Sequence, residues 1–462
     1  MGKKLIGVFV LFVSIFMIST FGYAAPTEVR LQGNQLITKK SGGKATPYII
    51  KGITWQPATR APATGLNPSY PLQTIKYGYF DSAPVSAEYP IFSYWLKGEF
   101  SKYYKKDIAL MRQANINTVR VYTDLGTDPQ VYNAILDEFN RNGIMVIVTF
   151  SKLDILNGSY MKIVSLYRTH PAILMWCLGN EWNIEYFNTG VDNSPYGLYP
   201  FMSVPVPLQT KDVANLAGAI DSAAKAIKNA DPFHPVSSAL GYRPVIAGEL
   251  KTQCYPFGRG GCSIGSDPTE IRPAITDLKK YVVLCPNIDI WGLSVYRGNT
   301  FGDLFTQWPN ISSKPFYVSD FGVDSYHITS IVYVGPDPTS VVGNKDEFKQ
   351  WDALLRLGNE LQRQLSPKGR CLGGFVREFN DEIWKVGNNC YGLAGFRRAP
   401  YDNNSHNYDS YDTGGYQFGL SADTDSINSP NEEYYGIVDA NRTPKQAYYG
   451  LQRIYASFDN SK

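Results

Sequence analysis

The feature that most limits what this chain can fold into is a repeated theme of short apolar run, polar loop and helical pattern. The apolar runs are "YIIKGITW" (48–55), "INTVRVYT" (116–123), "IMVIVTF" (144–150), "AILMWCLGN" (172–180), "PVSSAL" (235–240), "DIWGLSVY" (289–296), "KPFYVSDFG" (314–322) and "LGGFVREF" (372–379). Strands read this way when both faces are covered, as in parallel sheets flanked by helices. Amphipathic patterns lie between several of them. "FSKYYKKDIALMRQAN" precedes the second run, and "DPQVYNAILDEFNRNG" follows it, opening on an Asp-Pro cap and stopping at Gly143. Eight such runs predict an α/β fold, a single (β/α)8 TIM barrel spanning 25–462. A doubly wound open sheet is the alternative, but no GxGxxG motif follows the first run. Ahead of the barrel, "EVRLQGNQLITKK" alternates about Gly33-Asn34 and predicts a hairpin, and "TPKQAYYGLQRIYASF" predicts a closing helix. Long segments at 55–95, after strand one, and at 391–435, after strand eight, leave the strand ends where barrel enzymes build their sites.

Residues 1–24 stand apart. Lys3 and Lys4 precede an apolar run and then "GYAAP", the order of a secretory signal, with cleavage expected after Ala24 or Ala25. An uncleaved anchor is the competing reading, because the run is close to spanning length. A secreted or periplasmic protein with no stable membrane insertion after cleavage is therefore expected. The net charge of +3, with no basic block, argues against nucleic acid as a partner. In an exported chain six cysteines permit disulfides; Cys254–Cys262 and Cys371–Cys390 are the expected pairs, and Cys177, inside an apolar run, is expected to be a buried free thiol. Four histidines without HExxH or CxxC spacing give no support for a metal, and nothing calls for a cofactor.

On a barrel, the C-terminal strand ends bring together Arg120, Glu181, Tyr296, Asp320 and Glu378. A lone acid at a strand end is more often a loop cap or salt-bridge partner than a catalyst; a set converging from different strands is harder to explain that way. Cleaving a glycosidic bond needs one acid to protonate the leaving oxygen and a carboxylate to attack the anomeric carbon or activate water. Arg120 beside one acid would keep it ionised while the other stays protonated. With 33 Tyr, 23 Phe and 8 Trp the chain is rich in flat side chains that suit sugar rings as well as a large core. Trp55, Trp182 and Trp384 are the candidates for sugar stacking, with a core role as the alternative for each.

From about Tyr48 to Tyr455 the chain resembles the clan A glycoside hydrolases, a retaining (β/α)8 superfamily with acids on strands four and seven. "HPAILMWCLGNEWN" is similar to its strand-four signature. The resemblance implies that Asn180 holds a sugar 2-hydroxyl and that Glu181 is the general acid/base. "NINTVRVYT" resembles the strand-two segment whose arginine, here Arg120, lies near the nucleophile. "IWGLSVYRG" resembles strand six, whose tyrosine, here Tyr296, bonds the nucleophile. "GGFVREFNDEIWK" is similar to strand eight and implies Glu378, Phe379 and Trp384 as subsite residues. The strand-two region and "KPFYVSDFG" also resemble the β-1,3-glucanosyltransferase branch. The implied partner is a β-linked oligosaccharide or polysaccharide.

One position departs from that pattern. Where the family ends strand seven on Ser-Glu, an aromatic and Gly, this chain has "SDFG", with Asp320 as the acid. Retention needs carboxyls about 5–5.5 Å apart and inversion roughly 6.5–9.5 Å. One methylene fewer withdraws the carboxylate by up to about 1.5 Å on a fixed backbone. Four readings are open: a shifted backbone lets Asp320 attack, a wider gap gives inversion, Glu378 or Asp324 shares the role, or the barrel binds sugar with little turnover. The retained acid, with Arg120 and Tyr296 still beside it, favours the first. The expected activity is a retaining β-glycosidase or transglycosylase, against a catalytically impaired carbohydrate-binding barrel.

Overall fold

A computed structural model of the chain describes residues 25–57, 90–183, 213–242, 275–296, 299–334, 337–381 and 434–458. The expected hairpin is present: β1 (Glu28–Gln32) and β2 (Gln35–Lys39) pair antiparallel about a turn at Gly33-Asn34, and β3 (Thr46–Tyr48) adds a third strand. The eight runs then form one closed parallel barrel. Its strands are β4 (Ile50–Thr54), β5 (Thr118–Val121), β6 (Met145–Phe150), β7 (Ile173–Leu178), β8 (Val236–Gly241), β9 (Ile290–Ser294) and β10 (Phe316–Phe321). After β10 comes a hairpin the sequence reading did not anticipate, β11 (Tyr326–Val334) and β12 (Asp337–Lys345). The last barrel strand, β13 (Cys371–Val376), lies between β10 and β4 and closes the ring.

Helices follow the barrel strands in turn: α1 (Pro90–Gln113), α2 (Pro129–Arg141), α3 (Lys152–Asn157), α4 (Tyr160–Tyr167), α5 (Val213–Ala230), α6 (Ile275–Leu284), α7 (Leu304–Ile311), α8 (Glu347–Arg363) and α9 (Gln446–Phe458). The Asp-Pro signal works as read. Asp128 caps α2 by accepting from the Gln130 N–H at 2.9 Å, a contact of the kind worth about 1 kcal/mol. Strand side chains alternate between two cores. Val119, Val121, Val146, Val148 and Trp176 face the helices, whereas Ile147, Met175, Cys177 and Tyr317 fill the barrel interior. Val29 and Leu36 of the N-terminal sheet join that interior group beside Ile50, Met145 and Ile290 at the strand starts. The sheet thus packs against the N-terminal end of the barrel.

Cys177, Cys285 and Cys371 are buried free thiols. This matches the expectation for Cys177 and corrects the Cys371–Cys390 pairing: Cys371 lies inside a buried barrel strand, its Sγ directed to the Gly373 carbonyl at 3.4 Å. Cys254, Cys262, Cys390, the 1–24 segment and most of the two long loops lie outside the described residues. Among the described residues no helix is long and apolar enough to cross a membrane.

Candidate active site

Arg120 is the centre of the site. With Val119 and Val121 turned to the helices, alternation along β5 sends Arg120 into the barrel, where it is 0% exposed. A guanidinium at that depth needs acceptors for its donors. Nε donates to Thr149 Oγ1 (3.2 Å), Nη1 to the Ser319 carbonyl (3.1 Å) and Asp320 Oδ2 (3.2 Å), and Nη2 to Asn180 Oδ1 (2.8 Å). One cation therefore ties together the C-terminal ends of β5, β6, β7 and β10.

Asp320 lies near the end of β10, 1% exposed. The strand is irregular at this point. Val318 and Asp320 pair with the consecutive Leu293 and Ser294 of β9, and Val318 and Phe321 pair with Gly374 and Val376 of β13. Against both neighbours β10 carries one extra residue at Ser319–Asp320, a bulge of the kind that re-aims a side chain. The backbone is thus out of regular register where the side chain is short. Beyond Asp320, Gly322 has φ +152, and a Cβ there would stand 2.7 Å from the Arg377 carbonyl oxygen, so the turn needs glycine.

The sequence reading missed Tyr122. Its hydroxyl lies 2.5 Å from both Asp320 oxygens, and the Arg120 guanidinium carbon lies 4.8 Å from its ring centroid. Burial, then the negative charge of Asp320, hold the phenol well above its ordinary value, with Arg120 and Arg377 pulling it down by less. It therefore stays protonated and donates. The signal was available, because Tyr122 is two residues from Arg120 and an extended chain puts the two on one face.

Glu181 sits on a tight turn after β7. Gly179 has φ +75, and Glu181 itself has φ 47, a left-handed conformation uncommon for a residue with a Cβ. A Cβ at Gly179 would come within 2.8 Å of Trp182 Cδ1. The residues after Glu181 fasten the turn. Trp182 Nε1 donates to Ser238 Oγ (2.9 Å), and Asn183 exchanges two hydrogen bonds with the Gly241 backbone (2.8 and 3.0 Å). Asn180 and Glu181 are left partly exposed at the strand end.

Tyr296 follows β9 and accepts from Arg377 Nη1 at 3.4 Å, with its ring edge toward Tyr435. Burial first, then Asp320, raise its phenol well above the ordinary value, and Glu181 adds to this, which puts Tyr296 within the field of both acids. Glu378 follows β13, joined to Arg377 by a cis peptide bond, and is 2% exposed.

For two of the tryptophans the packing agrees with the core role. Trp55 and Trp182 are both 0% exposed. Trp55 packs on Phe100 and Phe139 and donates to Asp107 Oδ2 (3.0 Å), while Trp182 packs on Tyr281. Each indole satisfies its N–H inside the core and has no open face for a sugar. Phe379 is likewise a 0% exposed core residue. Trp384 lies outside the described residues. Among the described residues no group of three or more His, Cys, Asp or Glu is arranged to hold a metal ion.

No protein-family model matches the chain, and no curated protein matches it. Solved structures similar to it include a Bacteroides uniformis β-glucuronidase, at 14% identity and TM-score 0.49, covering 92% of this chain and 37% of that one. A Faecalibacterium prausnitzii β-glucuronidase matches at 15% identity and TM-score 0.44, covering 93% and 52%. A mutant of Saccharomyces cerevisiae Gas2p in complex with laminaritetraose and laminaripentaose matches at 13% identity and TM-score 0.43, covering 94% and 68%. The chain thus spans less than two thirds of the β-glucuronidases' own length. At these identities the likeness is one of fold, and the closed barrel stands on its own strand pairing.

Proposed function

We propose that this protein is an exported retaining glycosidase or transglycosylase acting on a β-linked glucan or related polysaccharide. The observation that carries the reading is the bridge made by Arg120. One guanidinium contacts Asp320 on one side and Asn180, the neighbour of Glu181, on the other. The ends of β7 and β10 are thereby linked through one guanidinium, which binds Asp320 directly and the neighbour of Glu181, and the difference in the two acids' surroundings suits a division of labour. Asp320, buried and in contact with a cation and a phenol, suits the ionised nucleophile. Glu181, partly exposed at the end of β7, suits the acid that protonates the leaving oxygen and later activates water or an acceptor sugar. Arg120 turns the Asn180 side chain by binding its carbonyl oxygen, which aims the amide donors away toward a sugar 2-hydroxyl. The bulge at Ser319–Asp320 favours a working Asp320 over a disabled one, since the strand has departed from regular register where the methylene is missing.

The test is turnover of a panel of β-linked gluco-oligosaccharides by the wild type and by Asp320→Glu, with the first-formed anomer read by proton NMR. The expected result is β-product from β-substrate by the wild type. α-Product would mean inversion. An inert wild type with an active Asp320→Glu variant would mean a sugar-binding barrel whose chemistry has been lost.

A further inference from the structure

Tyr122 is the contact to Asp320 that the roles above leave unassigned. An aspartate carboxylate turns about its last torsion in a broad well, so an arginine touching one oxygen does not set the plane of the group. The Tyr122 hydroxyl reaches both oxygens, at 2.5 Å, from a strand end where its ring lies against Arg120. A phenol has one proton, so at any instant it bonds one oxygen, a second donor beside the one that Arg120 gives Oδ2.

We propose that Tyr122 is the positioning residue that lets the short Asp320 serve as the nucleophile, fixing the plane of its carboxylate over the bulged strand. The proposal rests on the reading of Asp320 given above. In the first step an Asp320 oxygen bonds the anomeric carbon, the glycosidic C–O bond breaks, and the Glu181 proton goes to the leaving oxygen. In the second, water gives its proton to Glu181 and bonds the anomeric carbon, and the Asp320 C–O bond breaks. Asp320 regains its charge there, and the Tyr122 hydroxyl donates to the departing carboxylate. Tyr122 thus acts on the covalent intermediate as well as on the attack. Because the phenol compensates for a missing methylene, its contribution should depend on which acid stands at position 320.

The test measures kcat, KM and pH profiles on 2,4-dinitrophenyl β-glucoside and on a reduced laminaripentaose for the wild type, Tyr122→Phe, Asp320→Glu and the double variant. For Tyr122→Phe the expected loss in kcat is about 10- to 100-fold, in line with a displacement of roughly 1 Å, with KM changed less than about threefold. The acidic limb of kcat/KM should move to higher pH, because the ionised acid has lost a donor. With Asp320→Glu already present, adding Tyr122→Phe should cost less than about threefold, a coupling that a purely structural phenol would not produce. Equal losses in both backgrounds with an unmoved acidic limb overturn the proposal, as does an unchanged kcat. So does a 2-deoxy-2-fluoroglucosyl adduct mapped to Tyr122 instead of Asp320, which would make the phenol the nucleophile. A wild type inert on both probes and on the oligosaccharide panel defeats the enzyme reading itself, and this inference with it.

Discussion

Among the described residues there are two buried arginine–aspartate pairs, and they are built differently. Arg442 meets Asp107 side-on, Nε to Oδ1 at 3.0 Å and Nη2 to Oδ2 at 3.3 Å, while Trp55 Nε1 donates to Oδ2 and the guanidinium carbon lies 3.9 Å from the Tyr103 ring centroid. Both carboxylate oxygens are engaged by protein, and the pair joins α1 to the segment before α9, a separation of 335 residues in the chain. Burial still pushes the Asp107 carboxyl above its ordinary value, with Arg442 pulling it back by less. A buried pair of that kind is better understood as a lock on one arrangement than as a source of net stability. Arg120 divides its donors among Thr149, Ser319, Asn180 and Asp320, and gives the carboxylate a single contact. The first pair gives one acid two arginine donors. The second gives its acid one arginine donor, spreads the others over Thr149, Ser319 and Asn180, and sets the Tyr122 hydroxyl against both Asp320 oxygens.

The largest expected effect lies at the second pair. On the proposed roles, Glu181→Gln removes the proton donor and should lower turnover of β-linked oligosaccharides by about 10²–10⁴-fold, with Asp320→Asn losing at least as much. Reducing-end release measures this, and circular dichroism should show both variants folded. If either retains wild-type turnover, the difference between the two pairs is not one of catalysis.

The next effect is on stability. Arg442→Met leaves Asp107 buried without its counter-charge and should destabilise the fold by about 3–5 kcal/mol in urea unfolding. Turnover per folded molecule should stay within about twofold of wild type, since Arg442 binds Asp107 and lies over Tyr103, both on α1 and not on the strands that carry Arg120 and Asp320. A tenfold drop in kcat with little loss of stability would mean that the Arg442–Asp107 pair serves the chemistry and not the scaffold.

The two pairs also differ in how far the sequence discloses them. Arg120, Glu181 and Asp320 each end or follow an apolar strand, so the two-residue alternation and the barrel count together locate them. The Arg442–Asp107 lock joins a position inside α1 to the segment before α9, neither of which carries a strand or site-motif signal. Trp55 and Trp182 show the same limit from the other side. An aromatic beside a strand end reads alike whether it faces a cleft or the helices, and only packing on Phe100, Phe139 and Tyr281 decides it. The bulge in β10 was not legible because register is a relation between strands, and "KPFYVSDFG" contains only one of them. Tyr122 was legible by alternation, but the resemblance had already supplied a tyrosine, Tyr296, for its place.

A smaller effect, on pH, sharpens the comparison by isolating a group that belongs to the scaffold alone. His170 precedes β7, 3% exposed. Its Nδ1 accepts from the Ala172 N–H at 3.1 Å, so the proton must sit on Nε2, which lies 3.1 Å from Asp137 Oδ1 on α2. The ring is thus held neutral. A second proton would have to go on Nδ1 and would break the Ala172 bond. Burial accordingly holds the imidazole below its ordinary 6.5, with Asp137 offsetting part of the shift. As pH falls below that value the unfolded chain takes up a proton that the folded chain refuses. The stability from this site is therefore complete above about pH 6.5 and is lost as pH falls through the lower, folded value. Urea unfolding of the wild type and His170→Gln between pH 7.5 and 5 should show a gap that is widest at the alkaline end and narrows on acidification. The acidic limb of turnover, which the proposed roles assign to the site acids and not to His170, should be the same in both proteins. A gap that stays constant with pH would mean that His170 does not titrate with folding. A shifted limb would mean that this scaffold contact, at the foot of the strand carrying Glu181, is not separate from the chemistry.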